Sequence, residues 1–306
     1  MSVRKFNRSY ILKLETADNE YLEIAYPFTL EFNVVRNNLA ATNTATFNLI
    51  NLNATTRSKI YHDVWDIKNM KSVQLFAGYA ESSTDLLPRI FNGTVKRAYS
   101  QRQGPDFRTM IEAFDGQISL GSKETSITIP AGVTSEQALI AAAEPLKNGA
   151  NTVTVGNNYK DMAQRARSMM GNPLEILNQI SGGGAYVDNG SVYVLDQTEV
   201  VPGEIRLINK DNGLLGTPKK SEMMVELEML FEPRLRPSQL IELQSITEDR
   251  FDGLYKVTGI THRGTISGAI GGDCRTTLQL MRIKGYEVVM DQSTLEYRVQ
   301  PEATPQ

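Results

Sequence analysis

The sequence predicts a mainly β protein with a small α+β insert. Three observations predict it: period-two alternation through the first third, two helix signatures beside an Asn-Gly turn in the middle, and strand-like runs again in the last third. Tyr10, Leu12 and Leu14 alternate with Ile11, Lys13 and Glu15, which sets one side of a strand inward. An Asp18-Asn19 turn then leads into Tyr21, Leu22, Glu23 and Ile24 and completes an opening hairpin. Phe28, Leu30 and Phe32 alternate with Thr29, Glu31 and Asn33, and Phe47 and Leu49 share one side of a strand over 45–52. Asn53 is placed to cap a short helix that turns Ile60 inward. Strands are predicted again over 72–79, 88–99 and 107–114.

In the middle third, Thr134 followed three residues later by Gln137 makes a capping box ahead of the apolar run 138–143. A second helix opens at Asn172-Pro173, with Leu174, Ile176, Leu177 and Ile180 as its apolar stripe, and ends at Ser181-Gly182-Gly183-Gly184. Tyr186-Val187 and 192–195 flank Asn189-Gly190, the strongest hairpin signal in the chain. The last third carries strands over 224–231, 239–244, 254–262 and 276–283. Pro233, Pro237, Asp252-Gly253 and Gly271-Gly272 mark the turns between them. Residues 300–306 read as a tail without regular structure, or one extended against a neighbour.

Composition bounds the function. The 306 residues hold 41% hydrophobic and 22% charged side chains, a globular balance with room for two or three domains. The net charge of -3 lacks the basic surplus of a nucleic-acid binder, and Lys219-Lys220 reads as a solvated turn. Arg4, Lys5 and Arg8 precede no apolar stretch of the signal-peptide kind, and no run is long enough to span a bilayer, so no membrane insertion is expected. The single cysteine, Cys274, cannot close an internal disulfide, which fits assembly in a reducing cytoplasm.

No catalytic, cofactor-binding or metal-binding residues stand out, and the chain is expected not to be an enzyme. His62 and His262 begin no metal or Cys-His pattern and read as surface or strand-edge residues. Ser181–Gly184 follows a helix, and 268–272 lacks the Lys-Ser/Thr ending of a phosphate loop, so both read as turns. Glu226, Glu228 and Glu232 fall at even spacing on a strand, better read as an acidic strip than as a hydrolase pair. Phe76, Tyr79, Phe91, Phe107 and Phe114 are expected in the core.

Several strings resemble the central hub proteins of phage tail baseplates (late control protein D-like), a family related to the hub segment of type VI secretion spike proteins. They are 45–52 with Thr55-Thr56-Arg57, 73–79, 90–95, Asp106 with 109–115, 213–218, 231–237 and 254–262. The resemblance implies two tube-like β-barrel domains flanking a small mixed domain: 1–115, an insert at 116–218, 219–286, and a C-terminal extension at 287–306. It also implies a homotrimer that adapts a sixfold tail tube to a threefold spike in the virion baseplate. Implied partners are the tail tube protein, a spike or tail-tip protein and a tape measure protein, with DNA passing through without specific binding. The competing readings are a spike-hub component of a secretion or contractile injection system, a tail-associated cell-wall hydrolase and a carbohydrate-binding β-sandwich. Genome neighbours, zymography and glycan binding, respectively, separate them.

Overall fold

The computed structural model describes residues 7–16, 20–38, 42–65, 70–80, 87–115, 125–146, 152–160, 165–221, 224–283, 286–291 and 296–301. The strands of the first part are β1 (Arg8–Glu15), β2 (Tyr21–Ala25), β3 (Leu30–Asn37), β4 (Thr44–Ile50), β5 (Ser72–Tyr79), β6 (Arg89–Gln103) and β7 (Asp106–Phe114), with α1 (Ala54–Ile60) between β4 and β5. The middle holds β8 (Thr125–Ile129), α2 (Ser135–Ala143), β9 (Val153–Val155), β10 (Arg167–Gly171), α3 (Pro173–Ser181), β11 (Ala185–Asp188) and β12 (Ser191–Val194). There follow β13 (Val201–Ile208), β14 (Leu214–Ser221), β15 (Met224–Leu230), β16 (Gln239–Leu243), β17 (Gly253–Ile266), β18 (Cys274–Arg282), β19 (Tyr286–Asp291) and β20 (Glu296–Pro301).

One long sheet dominates. Its hydrogen-bonded path runs β14-β15-β18-β17-β3-β4-β7-β6-β5-β1-β2, with β13 attached through β16. The expected mainly β class with an α+β insert holds. The expected barrels do not close, because among the described residues the path is open at β14 and β2. The cause is the length of β17. Its first residues pair with β16 and the rest, Gly259–Ile266, pair with β3, so one strand fuses the two β-rich halves into a single sheet. Strand β13 and residues 214–218 of β14, which the sequence division puts in the insert, belong to strands that hydrogen-bond to β16 and β15.

Alternation sets the cores. Tyr10, Leu12, Leu30, Phe32, Phe47, Leu75 and Ile111 fill the first half, and Leu227, Val257, Ile260, Leu278 and Leu280 fill the second. In the insert, α2 and α3 pack Leu139 and Leu177 against Val192 and Val194 of the small β11-β12-β9 sheet. Local signals shape the helices as expected. Asn53 Oδ1 accepts the Thr56 amide at 2.7 Å, the Thr134/Gln137 capping box is complete, and Asn172 caps α3 ahead of Pro173. Gly182 ends α3 at φ 76, a left-handed conformation that a Cβ disfavours.

Some expectations shift. The Asp18-Asn19 turn lies outside the described residues, as do residues 302–306 of the tail. Phe28 precedes β3 and is exposed, so the inward face begins at Leu30. Phe91 is fully buried as expected. Phe76, Tyr79, Phe107 and Phe114 are half-buried, because Phe76 stands one residue off the inward Leu75 and Ala77 and Phe107 packs under the Arg57 guanidinium at 3.7 Å. No helix among the described residues is long and apolar enough to cross a membrane.

Candidate functional site

Register identifies the surface with the most chemistry. Residues directly opposite in antiparallel strands share a face. Leu230 faces Arg275, which faces Arg263, then Asn33, Thr46, Glu112 and Arg97 in turn. Alternate residues on either side of this line complete a polar face across seven strands, β15 to β6. The opposite face supplies the cores, so the side that excludes water fixes which residues meet it.

The charges on this face are internally matched. Arg263 and Arg275 both bind the Glu228 carboxylate, at 3.0 and 2.9 Å. Arg108 reaches Glu31 across β4 at 3.2 Å, and Arg97 pairs with its cross-strand partner Glu112. Burial pushes the Glu228 carboxyl up, but the Arg263 and Arg275 guanidiniums together hold it below its usual range. Arg97, Arg108, Arg263 and Arg275 therefore each already have an acidic partner on this face. Such exposed pairs add little to stability, but they leave a surface with little net attraction for phosphate.

Glu226 and Glu228 stand on this face as the even spacing predicts. Glu232 does not: β15 ends at Leu230, the chain turns inward, and Glu232 is buried with Arg206 3.3 Å away. The acidic strip is two residues long rather than three.

A second cluster joins the insert to the sheet. Arg36, on the inward face of β3, forks onto Asp188 of β11 through Nε (2.8 Å) and Nη2 (2.6 Å), and its Nη1 donates to the Leu235 carbonyl. The attraction of Asp188 outweighs burial and raises the Arg36 pKa. Asp115 accepts the amides of Asn189 and Gly190, and Asn43 Nδ2 donates to the Val187 carbonyl at 3.0 Å. The Asn-Gly turn is thus docked on the ends of β3, β4 and β7. Beside it, Lys256 is buried and donates to the carbonyls of Asp196 and Gln197 at 3.0 and 3.1 Å, with its pKa pushed down to about 8 by burial.

A cavity of about 340 Å³ lies here, lined by Tyr159, Gly182, Gly183, Gly184, Ser238 and Lys256 among others. Its polar groups are engaged with one another. Tyr159 Oη donates to the Ser181 carbonyl, and the Gly183 and Gly184 amides donate to Asn178 O and Ser181 Oγ. The glycines serve the helix end, as the sequence suggests.

Both histidines are buried rather than at the surface. His62, outside any strand, bridges to Ala98 through its backbone, and His262 lies on the core side of β17. Thr276 Oγ1 accepts the Glu232 amide and lies within hydrogen-bond distance of His262 Nδ1, at 2.9 Å. Burial, then the Arg36 charge, pushes the His262 pKa down to about 3, leaving a neutral ring unsuited to acid-base work near neutrality. Cys274 is buried where β18 begins, the small residue entering a strand that the sequence suggests, and burial raises its pKa. Among the described residues no group of His, Cys, Asp and Glu is arranged to hold a metal ion.

The chain is similar in fold to a tail protein from Neisseria meningitidis MC58, with a TM-score of 0.60 at 9% identity over 90% of this chain and 97% of that one. The same figures hold for the 43 kDa tail protein of prophage MuSo2 from Shewanella oneidensis. The E. coli c3393 protein, a type VI secretion component similar in structure to T4 tail proteins gp27 and gp5, aligns with a TM-score of 0.56 at 12% identity, covering 84% of this chain and 74% of that one. No curated protein matches in sequence. The family described as baseplate hub gp41 matches residues 12–263, across both β-rich parts and the insert, and this chain belongs to that family of phage tail baseplate hubs.

Proposed function

We propose that the chain is a non-enzymatic hub that assembles as a homotrimeric ring, adapts a sixfold tail tube to a threefold spike, and turns the polar face of the long sheet toward a channel that DNA crosses. Each copy contributes two β-rich units, 1–115 and 219–286, with 116–218 inserted and 287–306 as an extension. Three copies then present six units to the tube and three to the spike or tail tip. The tube, spike and tape measure proteins are its partners, and assembly takes place in the host cytoplasm before the hub is built into the virion.

The observation that carries the reading is the pairing of Arg97, Arg108, Arg263 and Arg275 with glutamates of the same face. A polar, self-neutralised wall lets a polyanion slide, whereas free guanidiniums would hold it by releasing counterions. The triple variant Glu31→Gln, Glu112→Gln, Glu228→Gln leaves Arg97, Arg108 and Arg263 without acidic partners and Arg275 with Asp273 alone. It is expected to retain duplex DNA in a filter-binding assay at low salt, with affinity falling steeply as salt rises, while the parent chain retains none. Equal retention by both would refute the channel reading.

A further inference from the structure

The two halves of the long sheet repeat one another. Strands β3-β4-β7-β6 and β14-β15-β18-β17 lie in the same order with the same antiparallel pairings. β4 and β15 are each 7 residues long. β6 and β17 each shift register at the same place, between Val95 and Arg97 and between Val257 and Gly259. β5 pairs with the first part of β6 just as β16 pairs with the first part of β17. The repeat breaks in one respect. The later part of β17 is covered by β3 on its second edge, while among the described residues the later part of β6 pairs with β7 alone.

On that edge His62 occupies the Ala98 backbone, and Ser100–Gln103 beyond it are exposed. At the other end of the sheet β14, the counterpart of β3, pairs among the described residues only with β15, and Lys219–Ser221 are exposed. We propose that β6 of one copy pairs with β14 of a second copy, in the register by which β17 pairs with β3; this rests on the ring reading above. Thr261, His262 and Arg263 face Val35, Val34 and Asn33. Aligned on the register shifts and on the first residues of β4 and β15, their counterparts are Tyr99, Ser100 and Gln101 facing Ser221, Lys220 and Lys219 of the neighbour.

No like charges meet in this register, since each lysine faces a serine or glutamine and Lys219 stands opposite Glu226 within its own chain. Pro218 lacks an amide hydrogen, so the pairing is strongest over Lys219–Ser221. The contact is head-to-tail, which closes into a ring, and it carries the polar face from copy to copy without a break.

Opposed residues of antiparallel strands have Cα atoms about 4.5–5.5 Å apart, within disulfide range. The test places Gln101→Cys and Lys219→Cys in one full-length chain, oxidises it under assembly conditions and resolves it on a non-reducing gel. The expected result is a ladder of linked dimers and trimers that collapses on reduction. Mixing the two single variants should give linked dimers only, and neither alone should link. Tyr99→Cys with Ser221→Cys is a second pair in the same register, and circular dichroism confirms folding. Oligomers in sedimentation without links from either pair would overturn the strand assignment while leaving the ring intact. Dimers from one single variant alone would indicate a twofold contact and overturn it too. Monomers throughout would overturn both the assignment and the ring.

Discussion

Asp188→Ala is expected to destabilise the folded chain by about 3–5 kcal/mol, because it strands a buried guanidinium with no partner in place of its carboxylate. Arg36 and Asp188 are only 3% and 5% exposed, so water cannot replace the lost partner. The Leu235 carbonyl satisfies one N–H but not the charge. The loss should appear as a lower urea midpoint by circular dichroism. Replacing both residues, Arg36→Met with Asp188→Leu, should recover most of it, since the cost comes from the unpaired charge and not from the absence of the pair. A single variant as stable as the parent would show that the insert is not held through this contact.

Phe231→Ala is expected to cost about 3–5 kcal/mol, the range for removing a buried aromatic ring. Phe231 follows β15, in the last third of the sequence, yet its ring lies in the core of the first half. Its centroid sits 5.8 Å from Phe32, 6.1 Å from Tyr79 and 5.5 Å from His262. Tyr79 Oη also donates to the Phe231 carbonyl at 2.9 Å. Truncation therefore opens a cavity on the seam between the halves, and Phe231→Leu should lose less because it refills part of the volume. The urea midpoints of the two variants, measured against the parent, check both the size and the order of the effects.

Features set by neighbours in the chain were legible in the sequence. The caps at Asn53, Thr134 and Asn172 and the turn at Asn189-Gly190 depend on backbone groups within four residues, so their residue types announce them. What depends on distant partners was hidden. Arg36 breaks the apolar alternation of β3 in the sequence, and only the fold brings Asp188 beneath it. The polar face draws Arg108 to Glu31 and Arg275 to Glu228, pairs that no local pattern links. His262 read as a surface or edge residue because it completes no site pattern, but the pleat turns it to the core. β14 was missed because Lys219-Lys220 read as a solvated turn, while Gly216 and Pro218 sit where its ladder with β15 shifts register.

The central claim is the ring, and the mass of the assembled full-length chain tests it most directly. Native mass spectrometry of the chain, alone and with its tail tube and spike proteins, is expected to give a species of three copies in at least the complete mixture. A chain that stays monomeric in every mixture would contradict the account.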